Sequence, residues 1–235
     1  DLGATSFKVI FNNPIALASN IGQIAMAEPT HMPSLCSEGG NCSLGDNGPD
    51  GGPVFYVAPT PFTVSGKSYR YIEAAPMYWK TGLYIDPKSH ICNSAVNIGY
   101  SLPASIGNAK SNTDTYIAIS DCNASASGST TTPAGLDTSA KMARAFGADW
   151  NIPTTDELVE MCKLARFGPS LAPSKTNCSD SGGTNPTNWI LSSYLSSSKQ
   201  SSPGYNDLVD FVVGTISHLG VQNLNYYVRP VRYLP

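Results

Sequence analysis

Charge is scarce in this chain. Asp, Glu, Lys and Arg make up 13% of its 235 residues, about half the usual ~25%. The net charge is -3 and no Lys/Arg run occurs, which excludes a nucleic-acid binder that works by counterion release. No apolar run approaches the ~18–20 residues that a membrane-spanning helix needs. No C-x-x-C pair exists and no cysteine sits at helical spacing from a histidine, so the common zinc sites are excluded and no metal is expected. No G-x-S-x-G elbow is present. The three histidines, His31, His90 and His218, are scattered, and with serine everywhere a Ser/His/Asp set carries no signal. The adjacent carboxylates Asp156 and Glu157 are explained by a helix start. Asp207 and Asp210 flank a strand start and read as solvated.

Ser, Thr, Asn, Gly and Pro fill the place of charge, as in a loop-rich extracellular protein. The chain opens on Asp1 with no signal-peptide pattern, as a processed secreted protein would. Six cysteines, an even number, point to three disulfides and an oxidising compartment. The sequence does not choose among the possible pairings. The expected set is sequential, Cys36–Cys42, Cys92–Cys122 and Cys162–Cys178, each closing a short or medium loop. Sequons at Asn41, Asn123 and Asn177 carry meaning only in a glycosylating host.

Residues 1–44 read as an N-terminal arm and 45–235 as one domain. Phe7, Val9 and Phe11 share one face of a possible strand, which Asn12-Asn13-Pro14 ends. From Ile15 to Ala27 the chain is small and apolar. It needs a surface to cover, either on its own domain or on a neighbouring subunit by strand addition. The Gly/Asn/Asp/Pro cluster over 36–53 specifies turns. Residues 54–57 form a strand, with 68–75 as its hairpin partner. Asn112 or Thr113 is placed to cap a helix. A low-complexity loop covers 123–135. Residues 138–146 form a helix stopped by Gly147. Thr154 or Thr155 caps the next helix, which carries an apolar face through Leu158, Met161, Cys162 and Leu164 and ends at Gly168-Pro169. Strands are read at 189–193, 210–213 and 226–233.

Four blocks resemble a known group. They are Asp46-Asn47-Gly48-Pro49-Asp50-Gly51-Gly52 with Val54-Phe55-Tyr56-Val57 and Tyr71-Ile72-Glu73-Ala74-Ala75-Pro76, then Asp149-Trp150-Asn151-Ile152-Pro153-Thr154-Thr155-Asp156-Glu157-Leu158. Trp189-Ile190-Leu191-Ser192-Ser193 and Tyr227-Val228-Arg229-Pro230-Val231-Arg232 complete them. In this order they resemble bacterial surface domains such as the C-terminal domains of collagen-like adhesins. That group looks like a branch of the C-type-lectin-like fold, near formylglycine-generating enzymes. The resemblance implies an α+β domain of twisted, mostly antiparallel sheets with two helices and long disulfide-stapled loops. Trp150, Pro153, Glu157, Trp189, Arg229 and Arg232 would be its structural motif. Trp150 fills the core, Pro153 sets the turn, and one arginine is buried against Glu157 or Asp149.

Formylglycine-generating enzymes use a late copper-binding cysteine pair. The last cysteine here is Cys178, so the chain is expected not to be an enzyme. Calcium-dependent sugar-binding signatures are missing, and turn chemistry alone accounts for Asp46, Asn47 and Asp50, so no cofactor is expected. In such folds the ligand face is built late in the chain. Tyr194, Tyr205, Asn206, Asp207, His218 and Asn225, with Gln222 and Asn223, are its candidates. The expected function is non-catalytic recognition of a glycan or protein at the cell surface. The alternative is a structural subunit of an appendage or filament, with residues 1–35 docking on a neighbour. The uncharged arm separates the two.

Overall fold

The computed structural model describes residues 35–80, 86–94, 101–125, 137–184, 189–199, 205–221 and 223–235. The arm readings over 1–34 and the loop reading over most of 123–135 lie outside them. The chain divides into two units, Asp1–Met32 and Pro33–Pro235, and the elements below belong to the second.

This unit is α+β. Strand β1 (Val54–Val64) turns at Ser65-Gly66 into β2 (Lys67–Ala74), giving the hairpin expected from the sequence, though longer. β1 lies at an edge of its sheet, and Pro59 and Pro61 interrupt its donors there. β2 pairs on its other side with the last strand, β8 (Val231–Leu234), so the chain end closes an antiparallel three-stranded sheet.

The second sheet has the order β3-β7-β4-β5-β6. Its strands are β3 (Lys88–Ser89), β4 (Ser193–Leu195), β5 (Tyr205–Asp210), β6 (Ile216–Val221) and β7 (Tyr226–Tyr227). All of its pairs are antiparallel except β4 with β7.

Three α-helices occur among the described residues, one more than the resemblance implies: α1 (Ala109–Ile117), α2 (Ser139–Phe146) and α3 (Thr155–Leu171). α3 starts where its sequence says. The Thr154 hydroxyl accepts from the Glu157 amide and the Glu157 carboxylate accepts from the Thr154 amide, a reciprocal capping box. It kinks at Gly168, whose φ of 71° suits glycine, and continues through Pro169 to Leu171.

Asn112 and Thr113 do not cap α1, which begins three residues before Asn112. Both are buried inside it, Asn112 donating to the Pro103 carbonyl and Thr113 accepting from the Ile152 amide. The strand expected over 210–213 is a turn from Phe211 onward. The Asp210 carboxylate accepts from the Val212 and Val213 amides, which ends β5. Only Ser193 of the strand expected over 189–193 lies in β4. The last expected strand is split into β7 and β8, because Pro230 has no amide to offer a ladder.

The sequential disulfides form: Cys36–Cys42, Cys92–Cys122 and Cys162–Cys178. The first packs against Val54, Tyr71 and Leu234. A core around Phe55, Ile72, Leu158, Met161 and Val231 joins α3 to the three-stranded sheet. A second, around Trp79, Tyr116, Met142 and Trp150, lies under α1 and α2.

Candidate functional site

The glycine-rich turn 45–53 wraps a buried carboxylate. Glu73 is fully buried on β2. Its Oε1 accepts from the Asp50 amide at 3.2 Å and the Gly52 amide at 3.1 Å, and its Oε2 accepts from Arg232 Nε at 2.7 Å. Arg232 also bridges to Asp50 Oδ2 at 2.6 Å and lies over the Trp150 ring, 5.0 Å from its centroid. The glycines are needed for contact. A Cβ on Gly48 would lie 2.4 Å from the Glu73 carboxyl carbon, and one on Gly52 would lie 1.8 Å from the Ala74 carbonyl oxygen. Burial pushes the Glu73 carboxyl up, against the pull of Arg232 and the two amides.

Arg229, 1% exposed, makes a second and deeper pair. Its Nε donates to Asp86 Oδ1 at 2.9 Å, a second guanidinium nitrogen lies 2.7 Å from Oδ2, and the Tyr194 hydroxyl donates to Oδ2 at 2.5 Å. The guanidinium stacks on Trp189 at 4.2 Å. Burial pushes the Asp86 carboxyl up and Arg229 opposes it; burial and the Asp86 charge drive the Tyr194 phenol well up. One arginine is indeed deeply buried. Its partner is Asp86, neither Glu157 nor Asp149, and the partners of Arg232 are Glu73 and Asp50. The reason is topological, since β8 pairs with β2 and carries Arg232 opposite Glu73. Glu157 instead serves the capping box and accepts from the Gly107 amide and the Tyr233 hydroxyl.

Beside the glycine-rich turn and Arg229 opens a cleft of about 540 Å³. Its lining includes Asn47 and Pro53 of the turn, Tyr78, Phe167 at the kinked end of α3, Trp189 and Arg229. Tyr78 is 59% exposed. Among the described lining residues Arg229 is the one charged side chain, and Asp86 neutralises it. The cleft therefore presents aromatic, proline and amide surface without net charge. That composition suits a neutral ligand, because a buried unpaired ion would be costly.

The late-chain ligand candidates come only partly together. Tyr194 and Asn206 are buried with their polar groups spent internally, Asn206 donating to the Tyr116 hydroxyl and to the Ser196 and Ser198 carbonyls. They face the core, so the expectation of ligand contact fails for both. Asp207 is buried, accepting from the Thr155 hydroxyl at 2.8 Å, with its other oxygen 2.7 Å from Nδ1 of the exposed His218. It is not the solvated carboxylate expected from the sequence. Tyr205 is exposed at the start of β5. Asn225 is half-buried and meets His90 at 3.1 Å, while the other His90 nitrogen meets Asn93 at 2.8 Å. Of the other two, Asn223 is exposed and Gln222 lies outside the described residues.

Sequence reasoning missed Asp86 and Tyr78. Nothing local marks Asp86, whereas Tyr78 follows the Ala75-Pro76 end of a motif block. Among the described residues no group of three or more His, Cys, Asp or Glu is placed to hold a metal ion. The Asp46 carboxylate accepts from the Ser43 amide, and Asp50 pairs with Arg232. Comparison with protein families, with curated proteins and with solved structures finds no match.

Proposed function

We propose that this chain is an extracellular recognition domain, of the C-type-lectin-like branch found in bacterial surface proteins, that binds a glycan or a protein without covalent chemistry. The observation that carries the reading is the neutral cleft beside the glycine-rich turn, with its exposed Tyr78 and its single charge cancelled by Asp86. Three disulfides support an oxidising, cell-surface setting. The ionisable pairs around the cleft act as braces: Glu73 holds the turn and Asp86 holds Arg229. The binding surface is thus moved from the late loops to the cleft, and of the late candidates Tyr205 and His218 stay exposed.

The test is binding of the full chain to glycan and peptide arrays, with and without EDTA, beside Tyr78→Ala. The reading expects a ligand that Tyr78→Ala loses and EDTA leaves bound. Failure to bind anything on either array, together with turnover of a hydrolase or oxidase substrate, would overturn it.

A second reading, a structural subunit of a surface appendage, is favoured by the arm. From Val9 to Ala27 it contains no Asp, Glu, Lys or Arg.

A further inference from the structure

We infer that a second cavity, between β1 and the body of α3, binds a small neutral ligand with adjacent hydroxyl groups on an apolar frame, the chemistry of a single sugar ring. Among the described residues it shares no lining with the cleft, so the inference stands apart from the ligand of the cleft.

The cavity holds about 410 Å³, within the roughly 300–1,000 Å³ of small-molecule sites. Leu44, Phe55, Val57 and Ala172 give it an apolar lining, and Tyr56, Glu160 and Lys163 bring polar groups to it. Leu44 lies just beyond the Cys36–Cys42 disulfide, and Lys163 is next to Cys162 of Cys162–Cys178. Two crosslinks therefore fix its walls before a ligand arrives, which lowers the cost of binding.

Its polar groups have capacity left over. Lys163 is only 8% exposed, deep for an ammonium. Its Nζ donates to Glu160 Oε1 at 2.7 Å. An ammonium has three donors, and a carboxylate accepts through both oxygens. Among the described residues no second acceptor meets the Lys163 ammonium, and no donor meets the other Glu160 oxygen or the Tyr56 hydroxyl. Burial and the Glu160 charge push the Tyr56 phenol up, as expected of a hydroxyl close to that carboxylate. Donors and acceptors thus stand side by side against an apolar lining.

Charge decides the ligand. The Lys163–Glu160 pair is neutral as a whole. An anion drawn to Lys163 would meet the Glu160 carboxylate beside it, and a cation drawn to Glu160 would meet the ammonium. A hydroxyl leaves the pair intact. One ligand hydroxyl accepts from Lys163 and donates to Glu160, its neighbour exchanges a hydrogen bond with Tyr56, and ring C–H groups lie against Leu44 and Val57. A wholly apolar ligand would instead shut water away from an ammonium that still needs acceptors.

The experiment titrates the isotope-labelled full chain, followed by NMR, with D-glucose and with four rings of one frame. These are a trans-vicinal cyclohexanediol, cyclohexanol, cyclohexanecarboxylate and cyclohexylammonium. Glucose and the diol are expected to shift the Tyr56 and Lys163 signals in the millimolar range, and the other three rings to bind at least about fivefold more weakly. Tyr56→Phe and Glu160→Gln keep the shape of half-buried side chains, so folding is retained. Each is expected to weaken the diol at least about fivefold, and Tyr78→Ala in the cleft to leave it unchanged.

Equal or tighter binding of either charged ring overturns the neutral-ligand argument. Diol binding without glucose binding overturns the assignment to a sugar ring. The absence of any shift at Tyr56 and Lys163 overturns the site. A response that Tyr78→Ala removes and Glu160→Gln leaves unchanged also overturns it and assigns the ligand to the cleft. Failure of the cleft to bind on the arrays, with the diol still seated at Tyr56, leaves this inference standing.

Discussion

At the scale of single residues, the two arginines of the closing segment do similar work with different stakes. Arg229 and Asp86 are both essentially buried, so removing one leaves an uncompensated charge. Asp86→Ala is expected to cost about 3–5 kcal/mol, read as a fall in the urea midpoint. Arg232 is partly exposed and shares Asp50 and Glu73, so Asp50→Ala should cost much less, about 1 kcal/mol or below. Glu157 sets a pH dependence. Burial pushes its carboxyl from 4.5 up to about 7. The folded state therefore holds a proton there that the unfolded state has released. The contribution of this group is fully present below pH 4.5 and is lost as pH rises towards 7, by on the order of 3 kcal/mol. Urea unfolding at pH 4.5 and pH 7 measures the slope, and Glu157→Gln should flatten it. An unchanged slope in that variant would assign the pH dependence elsewhere.

At the scale of elements, the glycine-rich turn and the kinked α3 are the pieces that make the cleft. Gly52→Ala places a Cβ against the Ala74 carbonyl. Backbone cannot yield there as a flexible side chain would, so a loss of about 1–3 kcal/mol is expected, with the cleft opened as well. Cys162–Cys178 ties α3 to the loop that follows it, and Gly214 of the β5–β6 turn rests on the Cys178 backbone. Closing a loop of 16 residues contributes about 3 kcal/mol. Replacing both cysteines by serine should lower the melting temperature accordingly and loosen the β5–β6 turn, seen as faster amide exchange at 211–215. Elements were legible where their signals are local. The Thr154 cap of α3, the β1–β2 turn and the α2 stop at Gly147 each lie within a few residues of sequence. The strands around 189–233 were misread, because short apolar runs such as Phe211-Val212-Val213 do not reveal that Asp210 caps the turn beneath them.

At the scale of the whole molecule, the candidate site was half legible. The turn, Trp150, Trp189 and both arginines were visible as motif blocks, but the cleft that the turn, Trp189 and Arg229 line was not. The ligand face expected over 194–225 was misplaced for Tyr194 and Asn206. A tyrosine or asparagine in sequence looks the same whether it meets solvent or a buried partner. Composition, local turns and the start of α3 follow from the sequence itself, since dihedral preference and end-capping act over neighbouring residues, whereas the disulfide pairing, expected as sequential, is chosen by the fold. Tertiary structure alone decided which acid meets which arginine. Arg229 finds Asp86 across 143 positions and Arg232 finds Glu73 across 159. Contacts so distant along the chain depend on how sheets and helices pack, and on the strong penalty for burying a charge without a partner.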